Sequence, residues 1–197
     1  MSRYLTLADL LSTRDFVASR VRLEAELLTT KRSRRVRLGN HLHFLFENLA
    51  TVSWQVQEMC RIENIVRPEA IQSELDAYNP LLPRASELSA TLLLEFEDPT
   101  ERESKVRALV GLHQHLHLRF ARCEAAHFRL DDNQFSDERV SSVQFARALL
   151  TPSQRLALGN LNDRAVIVCT HPAYPAETTL SPVVRASLVE DLDACAD

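Results

Sequence analysis

His41, His43, Glu47 and Glu63 are the candidate metal ligands of this chain. His41, His43 and Glu47 stand at odd positions of a stretch that alternates like a strand, so two imidazoles and a carboxylate share one face. Neutral imidazole with carboxylate suits Zn²⁺ or Fe²⁺, and a two-histidine, one-carboxylate set leaves coordination positions open. His113, His115 and His117 repeat the alternation further along, and adjacent strands would cluster the imidazoles. The competing reading is the solvent-facing polar side of a half-covered sheet.

Glu63 raises a different question. At about 100° per residue, Leu49, Val52, Val56, Met59 and Cys60 form an apolar helical stripe, with Glu63 near its centre and Gln55 at its edge. An ion buried there needs a partner, a ligand or a raised pKa. Arg35, Arg37 or Arg61 would make it a structural ion pair, and a metal or substrate would make it a ligand or catalytic carboxylate. Glu58 and Arg61 are expected in solvated pairs, and Cys60 as a small core residue.

Tyr78-Asn79-Pro80 and His171-Pro172-Ala173-Tyr174 complete the candidate polar site of Glu47, Gln55, Glu63, Tyr78, Asn79, His171 and Tyr174. Loops at element ends often carry binding groups. Asn before proline also stops a helix, and a Tyr hydroxyl can tie down a loop. Lys31, Arg32, Arg34, Arg35 and Arg37 form the main positive patch, read as a solvated face or a surface for docking a partner or an anion.

Composition removes several mechanisms. The chain of 197 residues has three glycines, Gly39, Gly111 and Gly159, so neither a P-loop nor a dinucleotide-binding turn is available. Gly-x-Ser-x-Gly and His-Glu-x-x-His are missing too. Cys60, Cys123, Cys169 and Cys195 are scattered and predict reduced thiols. A net charge of -4, without aromatic platforms beside the basic patch, argues against nucleic acid. No run approaches the roughly 20 apolar residues of a membrane span. The expectation is a soluble, cytoplasmic, single globular domain over residues 1–197.

Helix and strand boundaries around these residues are punctuated clearly. Asp98-Pro99, Thr151-Pro152 and Ser181-Pro182 each pair an N-cap acceptor with proline at the first helical position. The first two of these helices are expected to end near Gly111 and Gly159 in left-handed turns. Ser12, three residues before Asp15, marks an N-terminal helix read over residues 7–29. Period-two alternation predicts a strand through Val36, Leu38, Leu42, Phe44 and Phe46 and another through Leu88 to Phe96. Leu112–Arg119, Arg122–Leu130, Val140–Leu149 and Ala165–Cys169 read as further strands. The fold expected is α+β, a largely antiparallel sheet of five to six strands with helices mainly on one face.

Arg35-Val36-Arg37-Leu38-Gly39, Phe46-Glu47-Asn48, Gln55-Val56-Gln57-Glu58-Met59, Arg61-Ile62-Glu63, Glu74 to Pro83 and His171-Pro172-Ala173-Tyr174 together resemble the bacterial family catalogued as domain of unknown function 3501. The resemblance spans most of the chain and is most specific from Arg35 to Pro83, within the polar region 31–83. It is loose between Leu112 and Asp137, and Leu49 replaces an expected basic residue. His43 and His113 to His117 look particular to this chain. The resemblance brings no established activity. It implies a setting near rubrerythrin and iron–sulfur oxidoreductases, hence a redox or iron–sulfur protein as partner.

Two functions follow. One is a non-catalytic accessory or binding protein that docks such a partner through the basic strand region. The alternative is a small metal-binding protein or metal-dependent enzyme holding Fe or Zn with His41, His43, Glu47 and Glu63, with His171 or Tyr78 handling protons.

Overall fold

The computed structural model describes residues 4–131 and 138–195. The elements begin with a 3-10 turn, Leu7–Asp9, and helix α1, Thr13–Arg32. Ser12 caps α1 by accepting the Asp15 N–H at 3.2 Å, so the cap signal places the start and the expected 7–29 helix is divided before it. Lys31 and Arg32 close α1 and do not belong to the strand.

The alternating stretch 36–46 is a hairpin and not one strand: β1, Arg35–Leu38, turns at Gly39 into β2, Leu42–Phe46. Gly39 has φ +63°, a conformation that glycine adopts without a Cβ clash. Helix α2, Leu49–Ile62, follows, capped by a reciprocal Asn48–Thr51 pair. Helix α3, Pro68–Tyr78, runs into a 3-10 turn at Asn79–Leu81, and β3 is Glu87–Leu94.

Helices α4, Pro99–Ala108, α5, Pro152–Gly159, and α6, Pro182–Ala194, start at the three predicted Pro positions. Gly111 is left-handed as expected. Gly159 is instead the last residue of α5, and the expected left-handed turn is not made there.

The segment expected as a strand over 112–119 opens with a 3-10 turn, Leu112–Gln114, and only then forms β4, Leu116–Phe120. His113, His115 and His117 therefore do not share one strand face. Arg122–Leu130 divides into β5, Ala126–His127, and β6, Arg129–Leu130. Strand β7 is Val143–Leu149, β8 is Ala165–Cys169, and an unanticipated β9 is Ala176–Thr179.

The fold is α+β with antiparallel pairing, as expected, but the strands form two sheets: β1-β2-β3-β7-β6 and β5-β4-β8-β9. Phe44, Leu92 and Ala146 of the larger sheet meet Leu116, Leu118, Ile167 and Phe128 in the main core, which α4, α5 and α6 also join. Each such large side chain removed from water contributes roughly 1.5–3 kcal/mol. A second core, Val52, Val56, Cys60, Leu75, Leu81 and Leu82 with Phe145 of β7, packs α2 and α3 on the opposite face of the larger sheet. No helix among the described residues is long and apolar enough to cross a membrane.

Candidate functional site

Strand β2 sends Leu42, Phe44 and Phe46 into the main core, and His41, His43 and Glu47 follow the opposite parity. That second face is not uniform. At the Glu47 end α2 covers it; at the His41 end it opens to solvent.

Glu47 is 2% exposed. Its Oε1 accepts from Thr91 Oγ1 at 2.5 Å, and its Oε2 from Thr51 Oγ1 at 2.5 Å and Gln55 Nε2 at 3.1 Å. The carboxylate thus joins β3 to α2 with three donors, and buried acceptors without donors would be costly. Glu47, and not the expected Glu63, is the buried carboxylate of this region.

Glu63 is exposed, contrary to expectation. Its N–H bonds Met59 O at 3.0 Å as the helix ends, Asn64 follows at φ 54°, and the Ile65 N–H returns to Cys60 O at 2.8 Å. That turn lets Ile65 complete the apolar face in place of Glu63. Burial, with the charges of Glu74 and Glu63, pushes the Cys60 thiol and the Tyr78 hydroxyl up, which keeps both neutral.

The remaining polar candidates hold the chain together at separate places. Asn79 pins the N-terminal segment, its Oδ1 accepting from Leu5 N at 2.8 Å and its Nδ2 donating to Leu5 O at 3.0 Å. The Tyr174 hydroxyl donates to Leu38 O at 2.8 Å and accepts from His41 N at 2.8 Å and Leu42 N at 3.2 Å, closing the β1–β2 hairpin. His171 is buried; its Nδ1 accepts from Ala173 N at 3.2 Å, so its Nε2 carries the proton it donates to Val110 O at 3.0 Å. Both ring nitrogens are engaged by backbone, a positioning arrangement.

The basic segment does not present one surface. Arg34 is buried in a two-pronged pair with Asp191 of α6: Nη2 lies 2.8 Å from Oδ1, and Nη1 contacts Oδ2. Burial pushes the Asp191 carboxyl up, while Arg34 and the Asn48 side chain pull it back. Arg35 pairs with Glu95 at 2.7 Å, and Arg37 donates to the Gly39 and Asn40 carbonyls at 3.1 and 2.9 Å.

At its open end the β2 face forms the wall of a 760 Å³ cleft, lined by Arg37, His41, His43, Glu95, Glu101 and Arg102 among others. His41 stacks on Phe96 with centroids 4.4 Å apart and bonds Glu95 O through Nδ1 at 3.1 Å. His43 Nε2 stands 3.4 Å from Glu95 Oε2. Burial holds the His43 imidazole below its usual pKa, against the pull of Glu95 and with the help of Arg35 and Arg37. Neutral imidazole, the guanidinium groups of Arg37 and Arg102 and the carboxylates of Glu95, Glu97 and Glu101 make a mixed-charge concavity suited to a polar partner.

His41 and His43 are brought together here, while Glu47 lies buried under α2 and Glu63 is exposed at its end, so the proposed metal quartet does not assemble. Among the described residues no group of three or more His, Cys, Asp or Glu is disposed to hold a metal ion. Glu95, Phe96, Glu101 and Arg102 escaped sequence reasoning because they reach the cleft through the β2–β3 pairing, Leu42 opposite Leu94. The one local signal was the Asp98-Pro99 helix start that brings Glu101 and Arg102 to the rim.

These features define an α+β protein with two antiparallel sheets and an open polar cleft at a hairpin. The chain belongs to the family described as protein of unknown function (DUF3501), which matches residues 4–192. It is similar to a novel protein of unknown function from Burkholderia pseudomallei, whose crystal structure superposes with a TM-score of 0.90 at 36% identity, over 97% of this chain and 100% of that one. Comparison with the curated proteins finds no match.

Proposed function

We propose that the protein is a non-catalytic binding protein that docks a redox or iron–sulfur partner at the cleft between the β1–β2 hairpin and the start of α4. The supporting observation is how the polar side chains are used. Glu47, Asn79, His171 and Tyr174 are engaged in fixing backbone and helix positions. His41, His43, Arg37, Glu101 and Arg102 line an open concavity. The redox character of the partner is taken from the family resemblance. The docking surface is narrower than the whole basic segment, because Arg34 is consumed in the Asp191 pair and Arg37 lines the cleft, with Arg35 paired to Glu95 of its wall.

The test compares the full untagged chain with an Arg37→Glu, Arg102→Glu variant as immobilised bait, with elemental analysis of both bait and captured protein. A captured protein that carries iron, and whose recovery falls about ten-fold with the charge reversal, supports the reading. Equal capture by both baits overturns it. Stoichiometric iron or zinc in the bait itself, lost on His43→Ala, also overturns it and favours the metal-dependent alternative.

A further inference from the structure

His117 and His127 are register partners across β4 and β5, on the outer face of the smaller sheet. The next register position is hydrogen-bonded, Phe128 N donating to Leu116 O at 3.0 Å. Antiparallel ladders alternate wide and narrow positions, so His117 and His127 occupy the narrow, non-hydrogen-bonded one, where side chains stand closest. Their ring centroids are 5.8 Å apart with planes tilted by 42°. Two imidazoles bound to one tetrahedral ion at ~2.0–2.1 Å would have centroids roughly 5 Å apart, a small rotamer adjustment from what is seen.

We propose that His117 and His127 form a two-imidazole chelating site for a borderline divalent cation, Cu²⁺ or Zn²⁺, with water completing the coordination. His127 is exposed and His117 half-buried, so an ion reaches both from solvent. The neutral ring is the ligand form. Along the same strand row lie Val168 of β8 and Glu177 of β9. Arg119 is the opposing charge nearby, and Glu177 draws it away at 2.6 Å. The site lies outside the cleft and does not depend on the docking reading.

The experiment is calorimetric titration of copper(II) chloride, then zinc chloride, into the full chain without a histidine tag at neutral pH. One equivalent of Cu²⁺ is expected, bound more tightly than Zn²⁺ as imidazole sites require. His127→Ala and His117→Ala should each weaken it by at least the roughly ten-fold typical of losing even an outer-shell partner. His43→Ala and His113→Ala should leave it unchanged. Electron paramagnetic resonance of the copper form should show two nitrogen ligands and lose one in His127→Gln, whose exposed edge position spares the fold. Copper affinity unchanged in His127→Ala, or no saturable binding, overturns the proposal.

Discussion

The Tyr174 hydroxyl stands 2.6 Å from the point where a Cβ on Gly39 would lie. Gly39 is thus fixed twice, by its φ of +63° and by the tyrosine that closes the hairpin from the other sheet's side of the chain. Gly39→Ala should cost roughly 1–2 kcal/mol for the left-handed backbone and more for the clash. Tyr174→Phe should cost about 1–3 kcal/mol for the hairpin donors and acceptor it leaves unpaired. The two should be less than additive, because removing the hydroxyl removes the closest of the contacts that a Cβ would meet; urea denaturation of the double-mutant cycle measures the coupling. Strict additivity would mean the clash relaxes by another route.

Glu47 predicts a different pattern. Glu47→Ala leaves the Thr51 and Thr91 hydroxyls and the Gln55 amide without their acceptor, an expected loss of about 3 kcal/mol or more. Glu47→Gln keeps the volume and lets the hydroxyls rotate, so it should lose markedly less. Thermal unfolding of the two variants checks the order. A metal or substrate role would instead leave Glu47→Ala as stable as the parent.

Why some of this was legible and some was not follows from range. The Pro-capped starts of α4, α5 and α6 are written within a few residues, and so is the Ser12 cap. The β1–β2 hairpin hid because its turn preserves parity: Leu38 and Leu42 are register partners and both face the core, so the alternation runs through the reversal unbroken. Strands β5 and β6 are separated by Phe128 alone yet pair in different sheets, which no local pattern encodes. A helical projection points Glu63 inward because it continues through the C-cap at which the chain leaves the helix. The burial of Glu47 is not written locally, because it depends on Thr91, 44 positions away.

A pH dependence is expected at Glu58. Hydrogen bonds from Arg61 and Arg20 hold its carboxyl down at about 2, with burial opposing. Arg20 lies 2.9 Å away, and its guanidinium also sits 5.5 Å from the Trp54 ring centroid. A folded pKa below the unfolded one contributes stability that is present above the unfolded carboxylate range and lost as pH falls through it toward 2. After screening at these partly exposed arginines the contribution is about 1–2 kcal/mol. Denaturation midpoints between pH 6 and pH 3 (about the unfolded carboxylate range) should fall less steeply in Glu58→Gln than in the parent. Parallel profiles would place the acid sensitivity elsewhere.

Arg185 is buried and donates to four backbone carbonyls: Leu158 at 2.8 Å, Asp163 at 2.6 Å, and Ala157 and Asn160 at 2.7 Å each. It is the C-terminal cap of α5, supplied by α6, and it satisfies carbonyls that the helix end leaves without donors. Burial pulls its pKa down and Asp163 counters, yet an arginine stays charged over the working range. Lysine keeps the charge but has no planar fork to span four acceptors, so Arg185→Lys should lose about 2–3 kcal/mol, and Arg185→Met at least as much, because it removes the charge and all donors. Hydrogen exchange should localise the loss to α5 and the 160–164 turn before global unfolding is reached. Uniform protection in Arg185→Lys would show that lysine and water together replace the cap.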